Sequence, residues 1–469
     1  MEGKPGVELI TNYFEHDAVS AAEDNGMPGL RYVKLPDSWY RARIDPEMCK
    51  TMAESVLDEV IDALTRPLTA AEETPVQKEK ETPSETYTVS GTDYNDALEA
   101  LHALFLQEKL SDGLPIVPPT REAVDWMLTG TSMPADKVIG VFPPKFGTAT
   151  VEKIAINAVM AGAKPEYMPV IIAALKGMSD PGFDAIWWRM STSSSLPVIV
   201  ASGPITDEIN MNCGMGLYGY GYRANATIGR AIQLTTMNAG HTWPSENDMA
   251  ANGRYNSFTF YVMAENRGES PWESFAEEKG YGPDGNVVMV SVAPGGRTYD
   301  LGGGAVSPWS EQTILDKAVD LMKGIFAVSN VWASVYTLVM HPECAKRVAD
   351  KGWSKRDVQN YLYEKSRIPY EELDTTKAKE EDLFRTPYTK EQLILENIKK
   401  GLFAEEAIPV FREALKPGGK VPVVQAPDHI NIIVAGGKAG YSFLFGGVNP
   451  NYNHAITPVT GALLTVHGR

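Results

Sequence analysis

Apolar and polar positions along the first 67 residues follow the order of a small α/β unit. Val7 to Thr11 and Leu30 to Leu35 have the composition of short strands, and Asp17 to Asn25 is typical of a helix. From Asp45 to Leu64, apolar residues recur at helical spacing, which predicts a second, longer helix. The order is β-α-β-α, and two parallel strands do not build a core of their own. We therefore expect a partner chain to complete this partial sheet.

The rest of the chain has the pattern of a linker followed by a larger body. Residues 68–92 are rich in Glu, Lys, Thr and Pro and contain few large apolar residues, which predicts a linker. Leu196 to Gly203 and Asn286 to Ala293 are apolar runs typical of buried strands, and helical spacing recurs between such runs. We predict a mixed α/β and α+β body over residues 93–469, for which two subdomains, at about 93–305 and 306–469, are one option. No internal repeat is visible.

Composition narrows the function classes. The 469 residues are 43% hydrophobic and 22% charged, which is ordinary for a globular protein. The net charge of −17 disfavours binding to nucleic acids and to anionic membranes. No apolar run reaches the roughly 18 to 20 residues of a membrane span, and the N-terminus does not resemble a signal peptide. Three scattered cysteines do not form a disulfide framework. We expect a cytoplasmic protein.

The densest candidate for chemistry is the glycine-rich segment from Asn210 to Arg230. Gly214 and Gly216 allow backbone amides to approach a ligand, and Asn225 or Thr227 is expected to start the helix that follows, so the segment resembles an anion site. Cys213 precedes the glycines, and loop amides together with Arg223 would lower its thiol pKa if they face it. Cys213 is then a candidate nucleophile, with Arg223 and Asn225 as substrate ligands. Alternatively, Cys213 is a buried structural residue.

Two familiar motifs are rejected for this segment. Gly214, Gly216 and Gly219 spell a dinucleotide-binding pattern, but about ten residues separate them from the preceding strand, and no acidic residue ends a following strand. No histidine or cysteine spacing predicts a metal site, and the sequence identifies no cofactor.

Further candidates lie downstream. Glu265 and Asn266 follow a strand-like run, and the end of a strand is where α/β proteins commonly bind ligands, so we predict acid/base or substrate-orienting roles. The alternative is that Glu265 caps a helix or pairs with Arg267 on the surface. His241 lies in a Gly/Trp/Pro loop close in sequence to the glycine segment, and is a second candidate for proton transfer.

Several stretches resemble the UGSC family of (seleno)proteins, which is named for a selenocysteine-Gly-Ser-Cys motif. Residues 7–67 are similar to the trailing half of the small α/β domain that carries the motif in that family. The other matching stretches are Asp112–Thr120 (DGLPIVPPT), Ala149–Val170, Tyr222–Ala231 (YRANATIGRA), Ala264–Glu273 (AENRGESPWE), Gly352–Val358 (GWSKRDV) and Ile432–Gly440 (IIVAGGKAG).

The resemblance implies thiol or selenol chemistry, but the motif itself is absent. No UGSC or CGSC occurs in the chain, and its expected position would fall before Met1, so the redox residue of the family corresponds to no residue here. In that family the position of Cys213 is often serine. The resemblance therefore implies a hetero-oligomer in which a small partner subunit brings the CGSC-like or UGSC-like loop.

Three hypotheses follow. In the first, this chain is the large subunit of an oxidoreductase or lyase that binds a small, anionic organic substrate, while the partner's thiolate or selenolate cleaves a carbon–heteroatom bond. Glu265 or His241 would then handle protons. In the second, the chain is a self-contained hydrolase or hydratase, with or without a metal, that uses Cys213 or His241 with Glu265. In the third, it is a non-catalytic binding or scaffold subunit.

Overall fold

The structure of the chain is a computed structural model. It describes residues 6–11, 14–24, 26–27, 29–35, 46–73, 86–183, 185–244, 246–293, 298–300, 311–329, 335–375, 390–438, 441–446 and 455–460. The charged stretch at 376–382 and the histidine at 454 lie outside these residues. Among the described residues, no helix is long and apolar enough to cross a membrane.

The N-terminal fragment has the predicted β-α-β-α order. Its elements are β1 (Glu8–Thr11), α1 (Glu15–Asp24), β2 (Tyr32–Leu35), α2 (Pro46–Thr65) and α3 (Ala70–Glu73). Strands β1 and β2 are parallel, and among the described residues they pair only with each other. Ile10 and Val33 are buried in this fragment, as are Met52 and Val56 on one stripe of α2. The partial sheet predicted from the sequence is confirmed.

The start of the predicted linker belongs to this fragment. Arg31 donates from Nη1 to the carbonyls of Ala63 (2.6 Å) and Arg66 (2.8 Å), which are free because they end helix α2. The same guanidinium pairs with the Glu72 carboxylate of α3, with Nε 2.9 Å from Oε1. This bidentate pair connects α3 to Arg31, which also bonds the end of α2, so α3 belongs to the N-terminal fragment.

The body contains two four-stranded sheets, called sheet A and sheet B. Sheet A has the order β14-β7-β5-β6, and sheet B has the order β8-β13-β9-β12. Their elements, with the helices and short strands of the body, are α4 (Tyr94–Gln107), α5 (Arg121–Leu128), β3 (Val138–Phe142), β4 (Gly147–Thr150), α6 (Val151–Met160), α7 (Met168–Met178), α8 (Ala185–Met190), β5 (Leu196–Ser202), α9 (Ile205–Glu208), α10 (Arg223–Gly240), β6 (Tyr261–Ala264), α11 (Phe275–Glu278), β7 (Val287–Ala293), β8 (Thr298–Asp300), α12 (Glu311–Ser329), β9 (Tyr336–Met340), α13 (Pro342–Asp350), α14 (Lys355–Lys365), β10 (Ile368–Pro369), α15 (Tyr370–Thr375), α16 (Lys390–Lys399), α17 (Ile408–Ala414), β11 (Lys420–Val421), β12 (Ile430–Val434), β13 (Phe443–Phe445) and β14 (Ala455–Pro458).

The two sheets repeat one arrangement and exchange an outer strand. In sheet A, β5 is parallel to β6 and antiparallel to β7; in sheet B, β9 is parallel to β12 and antiparallel to β13. Strand β8 follows β7 in sequence but pairs with β13, whereas β14 follows β13 but pairs with β7. The structure therefore contains a repeated topology that the sequence does not reveal. A subdomain boundary near residue 305 separates the central strands of sheet A from those of sheet B. It does not separate the outer strands, because β8 precedes it but belongs to sheet B, and β14 follows it but belongs to sheet A.

The sheets pack face to face, with helices on their outer faces. Between them lies a fully buried apolar layer with contributions from both sheets, including Val200, Met289, Val339 and Ile433. Helices α6, α7 and α10 cover the outer face of sheet A, and the helices that follow β8 cover sheet B. This is the mixed α/β body predicted from the sequence. It brings the ends of the two parallel strand pairs, β5–β6 and β9–β12, to one junction.

Candidate functional site

Three segments meet where β6 and β12 end, and together they form the candidate site. The Asn266 amide, just after β6, donates to the Val434 carbonyl at the end of β12 (2.8 Å). The Gly436 amide, just after β12, donates to the carbonyl of Cys213 (2.9 Å), and the Ala264 amide donates to that of Asn212 (3.3 Å). The glycine-rich loop is thus bonded to both sheets, as expected for a ligand-binding crevice at strand ends.

A pair of asparagines holds Cys213 in place. The Asn225 side chain accepts a hydrogen bond from the Asn212 amide (2.8 Å) and donates to the carbonyls of Asn212 and Val262 (3.1 Å each). The Asn212 side chain in turn accepts from the Gly214 amide (2.9 Å). Helix α10 begins at Arg223, so Asn225 lies inside its first turn and neither Asn225 nor Thr227 starts the helix. In this conformation Asn225 orients the loop and has no side-chain donor directed at a substrate.

The Cys213 thiol is half-buried and is not activated. Burial raises its thiol pKa, and the negative charges of Asp207 and Glu269 raise it further. Arg223 does not face the thiol, because its exposed side chain turns away and donates from Nε to the Gly162 carbonyl (2.9 Å). A backbone hydrogen bond at Cys213 does act to lower the pKa, as expected for the loop amides, but burial outweighs it. A protonated thiol at neutral pH is a poor nucleophile.

The glycine loop is open to solvent on one side. Gly216 has φ of +70°, a conformation that favours glycine. Met215 is 67% exposed and Tyr220 is 99% exposed. The Met215 side chain packs on Gly437, where an added Cβ would come within 2.7 Å of its Sδ and Cε atoms, so the two loops approach each other closely at this position. The loop can therefore contact another molecule while its base stays fixed.

Glu265 is enclosed instead of lying in the crevice. Its carboxylate accepts hydrogen bonds from Ser202 Oγ (2.6 Å) and from the Phe275 amide at the start of α11 (2.8 Å). Burial raises its pKa, whereas Lys355, Ser202 and Phe275 act in the opposite direction. The alternative in which Glu265 pairs with Arg267 at the surface is wrong. The carboxylate fixes the loop after β6, and in this conformation no substrate reaches it, since its side chain is 0% exposed.

Lys355 connects this carboxylate to the other half of the body. It lies at the start of α14 with its side chain 2% exposed, and its Nζ is 3.7 Å from Glu265 Oε1 and 3.3 Å from Glu278 Oε2. The ammonium also donates to the Glu273 carbonyl (2.9 Å). The buried Lys355 ammonium and the buried Glu265 carboxylate thus form an ion pair between the two halves of the body. Sequence reasoning missed Lys355, because a lysine in the first turn of a polar helix usually faces solvent.

Two further charged residues border the crevice. Asn266 donates to Glu269 Oε2 (2.9 Å) and accepts from the Glu269 amide (3.1 Å). Lys438, in the loop after β12, is 3.1 Å from Glu269 Oε1, and it and Asn266 lower the pKa of that carboxyl. Lys438 places an exposed cation in the loop whose Gly436 amide bonds the Cys213 carbonyl. Both charged residues lie within stretches already singled out, but only the fold brings the two stretches together.

His241 is separated from the rest of the candidate set. It follows the last residue of α10 in a left-handed conformation, φ of +50°. Cys213 lies at the opposite end of this helix, and the 18 residues of α10 place the two ends about 26 Å apart. The prediction that His241 acts with Cys213 or Glu265 in one site is therefore wrong for this fold, in which it lies beside the β3–β4 turn.

The described residues contain no recognisable metal site, and the comparisons with known proteins identify no family. No group of three or more His, Cys, Asp or Glu side chains in the described part of the chain is placed to hold a metal ion. No family model, curated protein or solved structure matches the chain.

Proposed function

We propose that this chain is the substrate-binding subunit of a hetero-oligomeric enzyme whose reactive thiol or selenol comes from a smaller partner. The observation that carries the proposal is the set of apolar side chains that are exposed in the N-terminal fragment when the described residues are considered. Leu9 in β1 is 51% exposed, and on α2 Leu57 is 50% and Ile61 49% exposed. A two-stranded parallel pair that leaves such side chains in solvent is typical of part of a larger sheet.

The partner is a small α/β subunit with a CGSC-like or UGSC-like loop. This choice rests on the resemblance of residues 7–67 to the second half of the UGSC domain. Beside the apolar residues of α2 lies a cleft of about 680 Å³ that Asp58, Glu59 and Asp62 border. The cleft offers polar contacts around the apolar surface, as in protein interfaces with an apolar centre and a polar rim.

The state of Cys213 supports a nucleophile from outside this chain. Since burial and two carboxylates raise its thiol pKa, Cys213 is protonated at neutral pH and fits a proton donor or a resolving thiol better than an attacking thiolate. The self-contained hydrolase hypothesis needs Cys213 or His241 to act with Glu265, and these three residues do not share a crevice. The scaffold hypothesis is tested with the same variants as the leading one.

The proposed reaction is the cleavage of a carbon–heteroatom bond in a small anionic substrate. The substrate lies against the glycine loop, and the Lys438 ammonium attracts its negative charge. The partner's thiolate or selenolate attacks the carbon atom and forms a carbon–sulfur or carbon–selenium bond as the carbon–heteroatom bond breaks. The heteroatom leaves with the bonding electron pair and takes a proton from the Cys213 thiol, which solvent reprotonates. Glu265 and Lys355 contribute by fixing the loop that carries Asn266 and Glu269.

The experiment is co-purification of the tagged chain from its native host, with each bound protein identified by mass. We expect a small partner with a cysteine or selenocysteine in a Gly-Ser-Cys context, and we expect that residue to react more slowly with iodoacetamide when this chain is bound. The Leu57→Glu/Ile61→Glu variant should lose the partner while its body unfolds at the unchanged temperature.

The matched control is Leu106→Glu on α4, where the leucine is 47% exposed but lies in the body. This variant should keep the partner. The proposal fails if the double variant retains the partner, or if the bound protein carries no thiol or selenol that this chain protects. If Lys438→Met lowers turnover by the complex without releasing the partner, the scaffold hypothesis is excluded.

A further inference from the structure

A second charged site lies in sheet A's half of the body, away from the candidate site. Two arginines are buried there: Arg189 at the end of α8 and Arg254 in the loop before β6. Arg189 is 2% exposed as a whole residue, and the side chain of Arg254 is 2% exposed. They lie next to each other, since Arg254 Nη2 donates to the Arg189 carbonyl (2.9 Å). Buried guanidinium groups need both hydrogen-bond acceptors and a counter-charge.

Arg254 has both. Its Nε and Nη2 donate to the Asp248 carboxylate (3.2 and 2.8 Å), and its Nη1 donates to the carbonyls of Ser193 (3.0 Å) and Ser195 (3.1 Å). Asp248 Oδ1 also accepts a bond from the Ala250 amide (3.2 Å). Among the described residues of this cluster, the carboxylate is that of Asp248, and both of its oxygens accept hydrogen bonds from Arg254.

Among the described residues, Arg189 has no hydrogen bond to a carboxylate and has fewer acceptors than donors. Its Nη1 donates to Gln233 Oε1 (3.2 Å) and its Nη2 donates to Thr236 Oγ1 (2.9 Å), and both acceptors are neutral. Within the described residues its Nε is buried with no hydrogen-bond partner, and so is Nε1 of the neighbouring Trp188. Burial lowers the pKa of Arg189 to about 9, because the negative charge of Asp248 offsets only part of the burial and the positive charge of Arg254 acts in the same direction as the burial.

The two unpartnered donors belong to one stacked pair. The Arg189 guanidinium lies over the Trp188 ring, with Cζ 4.6 Å from the ring centroid. The indole in turn packs edge-on against Phe183 (6.1 Å) and Phe260 (5.9 Å). The surroundings are aromatic and apolar, so they favour a weakly hydrated anion over a strongly hydrated one. Counted over the described residues alone, the cluster of Arg189, Arg254 and Asp248 has one positive charge in excess.

The geometry points to a structural binding site for one small monovalent anion, of the size of chloride or bromide, between Arg189 Nε and Trp188 Nε1. The anion accepts the two unused hydrogen bonds and neutralises the excess charge. It stabilises the packing of α8 against α10, to which Arg189 is bonded through Gln233 and Thr236. The site is independent of the proposed reaction.

The test measures thermal unfolding of the full chain at constant ionic strength, with gluconate replaced stepwise by chloride. A ligand that binds only the folded state raises the unfolding temperature with its concentration, and we expect a rise of about 2–4 °C between 1 and 100 mM chloride. Arg189→Met should abolish the chloride dependence, and Trp188→Phe, which removes one donor, should weaken it. The exposed Arg121→Met variant should respond as the unchanged protein does.

A diffraction measurement keeps the proposal testable if Arg189→Met does not fold. Crystals of the unchanged chain grown with bromide should show an anomalous peak within hydrogen-bond distance of Arg189 Nε and Trp188 Nε1. No peak at that position, an unfolding temperature that does not respond to chloride, or a response that Arg189→Met leaves intact would each overturn the proposal.

Discussion

Two parallel strand pairs in this protein have opposite surroundings. In the body, β5 pairs with β6 on one side and β7 on the other, and all seven β5 residues are buried between the helices and sheet B. In the N-terminal fragment, β1 pairs with β2 alone among the described residues, and Glu8 and Leu9 face solvent. Within the described part of the chain, the parallel pair of the body therefore has neighbouring strands and helices around it, whereas that of the fragment has two open edges.

The difference shows where each region obtains its stability. The body closes its sheets from within the chain, by exchanging β8 and β14 between sheets A and B. The fragment holds α2 and α3 through Arg31 and Glu72 but leaves Leu57 and Ile61 uncovered. We infer that the body supplies the scaffold and the fragment supplies the surface for assembly.

The largest effect is expected from breaking the buried charges that join the two halves of the body. Lys355→Met leaves the Glu265 carboxylate buried without its cation, which should reduce the free energy of unfolding by about 3–5 kcal/mol. The matched control is Lys438→Met, whose side chain is 69% exposed, and which should change stability by no more than about 1 kcal/mol. Urea denaturation followed by tryptophan fluorescence measures both. Equal effects of the two substitutions would contradict the assigned role of Lys355.

The next prediction compares one residue type in the two regions. Ile433, in β12, is 0% exposed between the sheets, and Ile61, on α2, is 49% exposed. Ile433→Ala should reduce the free energy of unfolding by about 2–5 kcal/mol because it leaves a cavity, whereas Ile61→Ala should change it by no more than about 0.5 kcal/mol. The same denaturation experiment applies. A large cost at Ile61 in the isolated chain would mean that the fragment is already covered.

Much of the local structure is predictable from the sequence. The uninterrupted apolar runs of β5 and β7 predict strands buried on both faces, and the structure confirms this. Helix α2 spans Pro46–Thr65, close to the predicted range, because its apolar spacing persists over five turns. Both signals are contained in adjacent residues.

The pairing of distant segments is not predictable in this way. Strand β14 pairs with β7 although all four strands of sheet B lie between them in the sequence, and no pattern in either strand indicates that exchange. The burial of Lys355 and the contact of Glu269 with Lys438 depend on the same docking of the two halves. For this reason the sequence indicated Cys213, Glu265 and Asn266 as separate candidates, but not the junction at which Cys213 and Asn266 meet the end of β12, nor the burial of Glu265.

A smaller effect is expected on the thiol of Cys213. Because burial and the charges of Asp207 and Glu269 raise its pKa, alkylation by iodoacetamide should become fast only at a pH above that required by a free cysteine. Asp207→Asn and Glu269→Gln each remove a negative charge and should shift the pH profile of the alkylation rate to lower pH. Cys213→Ser identifies the part of the signal that belongs to this thiol. A profile at or below that of free cysteine would make Cys213 a candidate nucleophile again.

The central claim is that the sheet of the N-terminal fragment is completed by a partner. In the β1–β2 register the amides of Leu9 and Thr11, and those of Tyr32 and Lys34, point to the two outer edges. Hydrogen–deuterium exchange of the chain with and without the co-purified partner tests the claim most directly. The account predicts rapid exchange at both edges in the isolated chain and strong protection of one edge in the complex. Unchanged exchange at both edges in the complex would contradict it.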